Sequence, residues 1–305
     1  MSEQKLSVII SVHNCEDYIS ECLEDLFNQT RPADEIIIVL DASTDNTLDI
    51  VKQWTEKLPI TILENKERMG KPFSLNRAID MASGDFIAQV DADDTSHPRR
   101  FELQLRFLNR NSDVDVCGTC GHRFGNISEQ LKRPLHNNKI RWWLLMCSSP
   151  FLHTSVIYRS STLEKYKLRY NPDFIFMQDF NFFVKMIEKG LKFANLPQDL
   201  VGWRAHSDNT SHPKNDEKRN DYRKQILEQI LMLAGVDATP EEMEAHRSLG
   251  KMRLSGSYRK NLIPFLKWCF TLMRASVREP KFCPAWYSII NISARIFITV
   301  LKKPE

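Results

Sequence analysis

Three carboxylates stand close together in the turn Asp91–Asp94, whose sequence is Asp-Ala-Asp-Asp and which directly follows an apolar segment ending at Val90. Carboxylates at this spacing repel one another, and a shared divalent cation relieves the repulsion. Alternate acidic side chains offer oxygens to Mg²⁺ or Mn²⁺, while substrate phosphates complete an octahedral shell. The same turn suits a solvated cap on a helix that begins near Pro98. The motif alone therefore leaves a metal site and a helix cap open.

A second acidic loop, Asp41–Thr47, follows the β-branched run Glu35–Leu40. Asp, Ser and Thr are ordinary turn and helix-cap residues, so Asp41 and Asp45 are open to the interpretation that they only start the next helix. However, both acidic loops follow predicted parallel strands, and ligands of such sheets bind beyond the carboxyl ends of the strands. We therefore expect both loops to open onto one crevice.

Two further candidates lie later in the chain. Asp179 stands between Phe176 and Phe180 just before an apolar helix, so it is either the cap of that helix or a partly desolvated general base. His206 lies in the polar segment Trp203–Thr210, where it is either a third metal ligand or a structural histidine.

Strands and helices are predicted to alternate through the first hundred residues. The predicted strands are Leu6–His13, Glu35–Leu40, Ile60–Leu63 and Asp85–Val90. The predicted helices are Tyr18–Phe27, Leu48–Trp54 and Ser74–Ala82. This order is typical of an α/β fold, in which helices flank both faces of a mostly parallel sheet.

The pattern loosens after residue 100. Helices are predicted at Phe101–Leu108, Lys139–Met146 and Phe180–Lys189, and strands at Val114–Phe124 and Ser155–Arg159. The chain is then predicted to be entirely helical, through Tyr222–Ala234, Pro240–Leu249, Leu262–Arg274 and Trp286–Leu301. We therefore predict an α/β domain over residues 1–212 and a helical C-terminal region over residues 213–305.

The composition is that of a globular protein, with 305 residues, 42% hydrophobic and 27% charged. Seven cysteines scattered through apolar segments favour a reducing compartment over a disulfide framework. The N-terminus shows no secretory-signal pattern, and no stretch of about 18 uninterrupted apolar residues predicts a spanning helix. These features predict a cytoplasmic location.

The basic charge is concentrated near the C-terminus. Residues 255–305 hold nine Lys or Arg and two Glu, and Lys260, Lys267 and Arg274 fall on one helical stripe. Such a helix lies in an anionic membrane interface, or it packs its apolar face on the core and leaves the basic face in solvent. No recognition motif for nucleic acid accompanies the stripe. Association with the inner face of the cytoplasmic membrane, without nucleic acid, is therefore the partner prediction.

The segments described above occur in the order found in glycosyltransferase family 2, and the chain resembles that family over about residues 5–211. The segments that carry the resemblance are Ser7–Asn14, Val39–Thr47, Gly84–Asp94 with Pro98, Gln178-Asp179 and Trp203–His206. The resemblance implies the GT-A fold, a Rossmann-like α/β domain. It also implies an inverting, metal-dependent and non-processive enzyme of bacterial polysaccharide or lipopolysaccharide biosynthesis. The implied donor is a nucleoside-diphosphate sugar, with a UDP-sugar favoured, and the implied acceptor is a saccharide or a lipid-linked saccharide.

The resemblance also implies roles for individual residues. Asp179 matches the general base, and Asp93 matches the metal ligand of the Asp-x-Asp motif, with His206 as a further ligand to Mn²⁺ or Mg²⁺. The implied nucleotide-sugar contacts are Ser11, His13, Asn14, Asp41, Gly70, Lys71, Asp91 and Ala92. The implied acceptor-side residues are His153 and Gln178.

Two departures from the family pattern accompany these matches. The chain reads Leu-Asp-Ala-Ser at Leu40–Ser43, where the family often has Asp-Asp-Gly-Ser, and Gln178 replaces a frequent Glu. A non-catalytic nucleotide-sugar-binding protein is the alternative function, and the retention of Asp93 and Asp179 argues against it. A processive synthase is rejected, because the chain lacks predicted spanning helices and a Gln-x-x-Arg-Trp motif after Asp179.

Overall fold

The structure is a computed structural model that describes residues 4–146, 148–206, 216–251, 263–278 and 292. The strands are β1 (Leu6–Val12), β2 (Glu35–Asp41), β3 (Ile60–Asn65), β4 (Phe86–Asp91), β5 (Thr95–Ser96), β6 (Val116–Gly125), β7 (Glu129–Leu131), β8 (Ile157–Arg159) and β9 (Phe193–Ala205). The helices are α1 (Ile19–Phe27), α2 (Thr47–Trp54), α3 (Lys71–Met81), α4 (Arg100–Arg110), α5 (Asn137–Leu145), α6 (Ser160–Lys165), α7 (Gln178–Glu188), α8 (Asp216–Leu233), α9 (Pro240–Lys251) and α10 (Ile263–Arg278). A single 3₁₀ turn, His153–Ser155, precedes β8.

One sheet runs through the molecule in the order β3-β2-β1-β4-β8-β6-β9-β5, and β7 pairs with β6. Strands β1 to β4 are parallel, β6 and β9 are parallel, and β8 joins the two groups by antiparallel pairing. In this register Ser11 of β1 lies opposite both Val39 of β2 and Asp91 of β4. The loops after these three strands therefore open at the same edge of the sheet, and the predicted α/β fold is confirmed.

The strand β9 is the longest of the elements that the sequence analysis misses, which also include β5, β7 and α6. It runs over 13 residues and pairs with most of β6, with register shifts on either side of Cys120. These irregularities disturb the alternation of apolar and polar residues that marks a strand. The predicted strand Ser155–Arg159 is also corrected, because β8 begins only at Ile157 and Ser155 belongs to the 3₁₀ turn.

Helices α8 to α10 extend the core on the side of α7. Ile226, Leu227 and Ile230 of α8 are buried in the same apolar cluster as Phe182 and Met186 of α7. The helical region that the structure describes therefore packs against the α/β part. The predicted boundary near residue 213 lies outside the described residues, as does the predicted helix over residues 286–301 apart from Ile292, so the division into two domains stays a prediction.

Across residues 4–146, 148–206, 216–251 and 263–278, each helix is too short or too polar to traverse a bilayer.

Candidate functional site

A cleft lies along the sheet edge at which β1, β2 and β4 end. Its larger part, the large pocket, has a volume of about 610 Å³ and is lined by the loops after these strands, the start of α3 and the end of β9. Its smaller part, the small pocket, has a volume of about 250 Å³ and is lined by the 3₁₀ turn, the start of α7 and Arg219 of α8. Lys71, Asp91, Phe176 and Trp203 line both pockets, so the two adjoin.

The cleft contains all the residues to which the family resemblance assigns a role, whereas Asp45 lines neither pocket and bonds instead to Thr47. The large pocket is lined by Ser11, His13, Asn14, Asp41, Gly70, Ala92, Asp93 and His206. The small pocket is lined by His153, Gln178 and Asp179. Lys71 and Asp91 stand where the pockets meet. Asp179 is therefore on the same side of the molecule as Asp41 and Asp93, with Asp91 between them.

Asp41 is a buried carboxylate that fixes the turn before α3. Its Oδ1 accepts hydrogen bonds from the Met69 N–H at 2.8 Å and from Asn65 Nδ2 at 2.7 Å, and its Oδ2 accepts one from the Gly70 N–H at 2.8 Å. Gly70 has a φ of 87°, which a side-chain-bearing residue rarely adopts. A carboxylate offers about four acceptor sites, so one site on Oδ2 remains for a ligand.

The loops after β1 and β2 are tied to each other. His13 Nδ1 donates to the Asp41 carbonyl at 2.7 Å, because a carbonyl can only accept. Asn14 adopts a left-handed conformation with a φ of 47°, and its Oδ1 accepts from the Thr44 N–H at 2.8 Å. The Asn14 N–H in turn donates to Ser43 Oγ at 3.1 Å. These bonds make one rigid wall of the large pocket from two separate loops.

Lys71 and Asp91 form an ion pair where the two pockets meet. Lys71 Nζ donates to Asp91 Oδ1 at 2.7 Å, and Gln89 Nε2 donates to the same oxygen at 3.0 Å. Burial opposes the charge on both residues, but their attraction outweighs it. The pKa of Asp91 is consequently held below its usual value and the pKa of Lys71 above its usual value. The cleft thus holds a fixed ammonium group that can face an anionic ligand.

Asp93 and His206 contact each other on the wall of the large pocket. His206 Nε2 lies 2.9 Å from Asp93 Oδ2, and the His206 ring lies against Tyr18 with 5.2 Å between the centroids. Arg204, two residues before His206, donates from Nε to the Asp93 carbonyl at 2.9 Å. Its backbone N–H donates to Asp94 Oδ1 at 2.9 Å. The end of β9 therefore fixes the acidic turn after β4.

Asp94 differs from its two acidic neighbours in being buried, with 3% of its surface exposed. Its Oδ2 has no hydrogen-bond partner in the structure. Burial raises the pKa of Asp94 well above its usual value, and repulsion from the carboxylates of Asp93 and Asp91 raises it further. Asp94 consequently supports the turn as a weakly acidic group, while Asp91 and Asp93 carry its exposed charge.

The acidic turn and the end of β9 supply the side chains that could hold a divalent cation. Within the part of the chain that the structure describes, no three His, Cys, Asp or Glu side chains converge as a complete metal site. Asp93 and His206 supply one oxygen and one nitrogen on the wall of the large pocket. Mg²⁺ and Mn²⁺ bind readily through one or two protein ligands when phosphate oxygens and waters supply the rest. The pair therefore fits a cation that is shared with a phosphate-bearing ligand.

Asp179 occupies the first turn of α7, where it lines the small pocket. Met177 before it has a φ of 56°, a left-handed conformation that turns the chain into the helix. No hydrogen bond reaches the Asp179 carboxylate from the described residues. Asp179 is therefore not bound up in capping α7, and its oxygens are available to accept a proton from a ligand in the small pocket.

A buried hydrogen-bonded chain lies beneath the small pocket. His153 Nε2 is 2.8 Å from the Tyr170 hydroxyl, which is 3.1 Å from the Tyr158 hydroxyl. Burial lowers the pKa of His153, although Asp91 opposes this effect, so the imidazole is neutral at pH 7. Sequence reasoning misses Tyr158 and Tyr170, because nothing in their local sequence indicates that they meet His153. Sequence reasoning could have identified Arg204, because it lies two residues before the selected His206.

The buried side chain of Arg100 supports the acidic turn from below. Its Nη2 donates to the Gln89 carbonyl at 2.8 Å, its Nη1 to Ser96 Oγ at 2.9 Å and its Nε to Gln104 Oε1 at 3.2 Å. Gln89 and Ser96 flank the acidic turn on either side. Burial lowers the pKa of Arg100 to about 10, so the guanidinium stays charged at neutral pH.

Replacing Arg100 by Met should lower the free energy of unfolding by about 3 kcal/mol, because three buried acceptors lose their donor. The neighbouring substitution Arg99→Met is a matched control. Arg99 is exposed and paired with Glu102, and an exposed ion pair contributes little to stability. Urea unfolding at pH 7 measures both values. Equal losses for the two variants would show that the buried network does not stabilise the fold.

The sequence is similar to those of known proteins. A family model described as Glycosyl transferase family 2 matches residues 7–191. The amylovoran biosynthesis glycosyltransferase AmsE of Erwinia amylovora is 32% identical over 207 residues, which cover 66% of this chain and 77% of AmsE. The putative glycosyltransferase EpsE of Bacillus subtilis is 32% identical over 220 residues, which cover 68% of this chain and 75% of EpsE.

Solved structures share the fold at lower sequence identity. The S. aureus TarS fragment 1-349 in complex with UDP-GlcNAc matches 96% of this chain and 90% of its own, with a TM-score of 0.64 and 17% identity. The mannosyltransferase PcManGT from Pyrobaculum calidifontis, in complex with GDP-Man and Mn²⁺, matches with a TM-score of 0.57 and 18% identity over 100% of this chain and 77% of its own. The likeness confirms the predicted GT-A fold.

Proposed function

The chain belongs to glycosyltransferase family 2, and from this premise we propose that it transfers a sugar from a nucleoside-diphosphate sugar to an acceptor hydroxyl, with inversion at the anomeric carbon. The observation that carries the proposal is the placement of Asp93, Lys71 and Asp179 along one cleft, with Asp91 at its centre. The relative AmsE is named for the biosynthesis of a polysaccharide, amylovoran. We propose a reaction of the same class here.

The large pocket suits the nucleoside diphosphate. Lys71 places an ammonium group at the end of this pocket that faces Asp179. Asp93 and His206 would hold Mn²⁺ or Mg²⁺, and the bound cation would supply positive charge that offsets the charge of the departing diphosphate. Two structural neighbours, TarS and PcManGT, form complexes with UDP-GlcNAc and GDP-Man, respectively. We propose a UDP-sugar for this chain, bound by the loops of His13, Asn14 and Asp41.

The small pocket suits the acceptor hydroxyl. In the proposed reaction the acceptor oxygen forms a bond to the anomeric carbon while the bond from that carbon to the diphosphate oxygen breaks. Asp179 accepts the proton that leaves the acceptor hydroxyl, which makes that oxygen a better nucleophile. Inversion follows because attack comes from Asp179's side of the sugar, opposite the diphosphate. No protein nucleophile is needed.

The proposal also includes a class of acceptor and a cellular location for the reaction. We propose a saccharide or lipid-linked acceptor, used at the inner face of the cytoplasmic membrane, because the basic residues of 255–305 favour an anionic surface. Most of these residues lie outside the described part of the chain. A non-catalytic nucleotide-sugar-binding protein is the alternative, and the open carboxylate of Asp179 disfavours it, since binding alone needs no base beside the donor.

Ligand-induced stabilisation tests the proposal. We expect UDP-glucose, UDP-GlcNAc, GDP-mannose or a dTDP-sugar to raise the unfolding temperature by several degrees with Mn²⁺, because a ligand at a hundred times its Kd adds about 2.7 kcal/mol. EDTA should remove most of this shift. Slow metal-dependent release of the nucleoside diphosphate from the same sugar would separate an enzyme from a binding protein. If none of the four donors stabilises the protein, the proposed function is wrong.

A further inference from the structure

We infer that His153 and Asp91 together bind one hydroxyl group of the transferred sugar, which makes His153 a residue that selects the donor. This inference rests on the proposed function, and it goes further by assigning a specific partner to a side chain beneath the reaction site.

The first observation is an unpartnered nitrogen on the cleft wall. His153 lines the small pocket, and 8% of its side chain is exposed. Its Nδ1 is buried and has no hydrogen-bond partner in the structure. A buried polar atom without a partner costs about 1–3 kcal/mol, so such atoms ordinarily find a partner in a ligand or in water.

The second observation fixes the proton on that nitrogen. The hydroxyls of Tyr158 and Tyr170 and the His153 ring form one chain, in which both hydroxyl protons need acceptors. If Tyr158 donates to Tyr170 and Tyr170 donates to His153 Nε2, both protons are satisfied. The opposite direction leaves the fully buried Tyr158 hydroxyl proton without an acceptor, which is unfavourable. The neutral ring therefore carries its proton on Nδ1, which is a donor toward the cleft.

The third observation is the gap between this donor and Asp91. His153 Nδ1 lies 4.0 Å from Asp91 Oδ1, which is too long for a direct hydrogen bond. Asp91 Oδ1 already accepts from Lys71 and Gln89, which leaves Oδ2 as the free acceptor. One hydroxyl group can accept from Nδ1 and donate to the Asp91 carboxylate. A pairing of one donor with one acceptor is the arrangement that recognises an alcohol rather than a cation or an anion.

The position of the gap identifies whose hydroxyl it binds. Asp91 stands between the large pocket, where we place the diphosphate, and the small pocket, where Asp179 meets the acceptor. The transferred sugar must lie between its leaving group and the base. The hydroxyl held by His153 and Asp91 therefore belongs to that sugar, and not to the nucleoside.

Two amide variants, each keeping one of the two ring-nitrogen positions, separate this role from a packing role. In His153→Asn the amide nitrogen stands near the position of Nδ1, so the donor toward the cleft is kept. In His153→Gln the amide stands near Nε2, so the partner of Tyr170 is kept and the cleft donor is lost. Both variants remove the imidazole ring. The affinity for UDP, which lacks the transferred sugar, is the control, and we expect both variants to bind UDP as the wild type does.

The parent ligand is the screened donor that stabilises the protein most, for example UDP-glucose. Calorimetry measures the Kd of this parent and of a series of analogues, each of which lacks one hydroxyl of the sugar. In the wild type we expect one analogue to bind about tenfold more weakly than the parent sugar. In His153→Gln the Kd of the parent should rise about tenfold. The analogue that binds weakly to the wild type should bind this variant as tightly as the parent does. In His153→Asn the preference should largely remain.

Other outcomes would overturn the inference. If His153→Gln weakens the parent and every analogue by the same factor, or weakens UDP as well, His153 only supports the fold of the cleft. If the variant binds all the sugars as the wild type does, the gap holds water. If the wild type binds none of the screened donors, the proposed function itself fails, and this inference fails with it.

Discussion

Replacing Asp179 by Asn is expected to lower the rate of sugar transfer about a thousandfold while leaving the donor affinity within about twofold of the wild type. A general base contributes roughly a hundredfold to ten-thousandfold, and Asn cannot accept the proton of the acceptor hydroxyl. Because Asp179 lines the small pocket and not the large one, the nucleoside diphosphate should still bind. The measurements are the release of nucleoside diphosphate with acceptor present and the donor Kd by calorimetry.

The control for this substitution is Asp173→Asn. Asp173 is an exposed carboxylate on the loop that leads to α7, six residues before Asp179, and it does not line the small pocket. We expect its transfer rate to stay near that of the wild type. A rate for Asp179→Asn within about tenfold of the wild type would contradict the assigned role, and so would an equal loss in both variants.

Replacing Asp93 by Asn has the second-largest expected effect. The substitution removes the anionic ligand of the proposed cation while His206 and the shape of the pocket remain. We expect the transfer rate at a fixed Mn²⁺ concentration to fall about a hundredfold, which is the scale for losing one preorganised electrostatic contact. The Mn²⁺ concentration that gives half-maximal rate should rise, because one of two protein ligands is lost. A titration of the rate with Mn²⁺ measures both effects.

Asp17 provides the matched control for Asp93. It is an exposed carboxylate that lines the same pocket but lies on the loop before α1. Asp17→Asn should leave the Mn²⁺ dependence unchanged. If Asp93→Asn keeps the wild-type Mn²⁺ titration, or if the wild type is fully active in EDTA, then the cation assigned to Asp93 and His206 takes no part in the reaction.

The sheet edge that builds the cleft was predictable because its signal is local. The strands β1, β2 and β4 are short apolar runs that each end in a polar loop, and parallel strands place their carboxyl ends together. The spacing of Asp41, Asp91 and Asp93 could therefore be converted into one site without knowledge of any long-range contact.

The remaining parts of the site depend on contacts that the local sequence does not encode. β9 pairs with β6 across a long separation in sequence and with an irregular register. It delivers Arg204 to the acidic turn and His206 to Asp93. Phe182 of α7 stacks on Tyr170 with 4.1 Å between the ring centroids, and the Tyr170 hydroxyl lies 2.8 Å from His153 Nε2. Tertiary packing places these side chains, and the periodicity of the sequence does not predict such contacts.

The hydrogen bonds that Asp41 accepts from the protein itself were likewise not predictable from the sequence. A carboxylate at the end of β2 was expected to face a ligand, but three donors from Asn65, Met69 and Gly70 already occupy it. Its effect on ligand binding is therefore exerted first through the turn that it holds, and through Lys71, which follows that turn.

The central claim is that one nucleotide sugar spans the cleft, with its diphosphate at Asp93 and Lys71 and its anomeric carbon toward residue 179. A crystal structure of the Asp179→Asn variant, grown with Mn²⁺ and the donor that stabilises the protein most, tests it directly. We predict the cation between Asp93, His206 and the diphosphate, and the sugar over Asp91 with its anomeric carbon facing the small pocket. A nucleotide bound outside this cleft, or a sugar that points away from residue 179, would contradict the account.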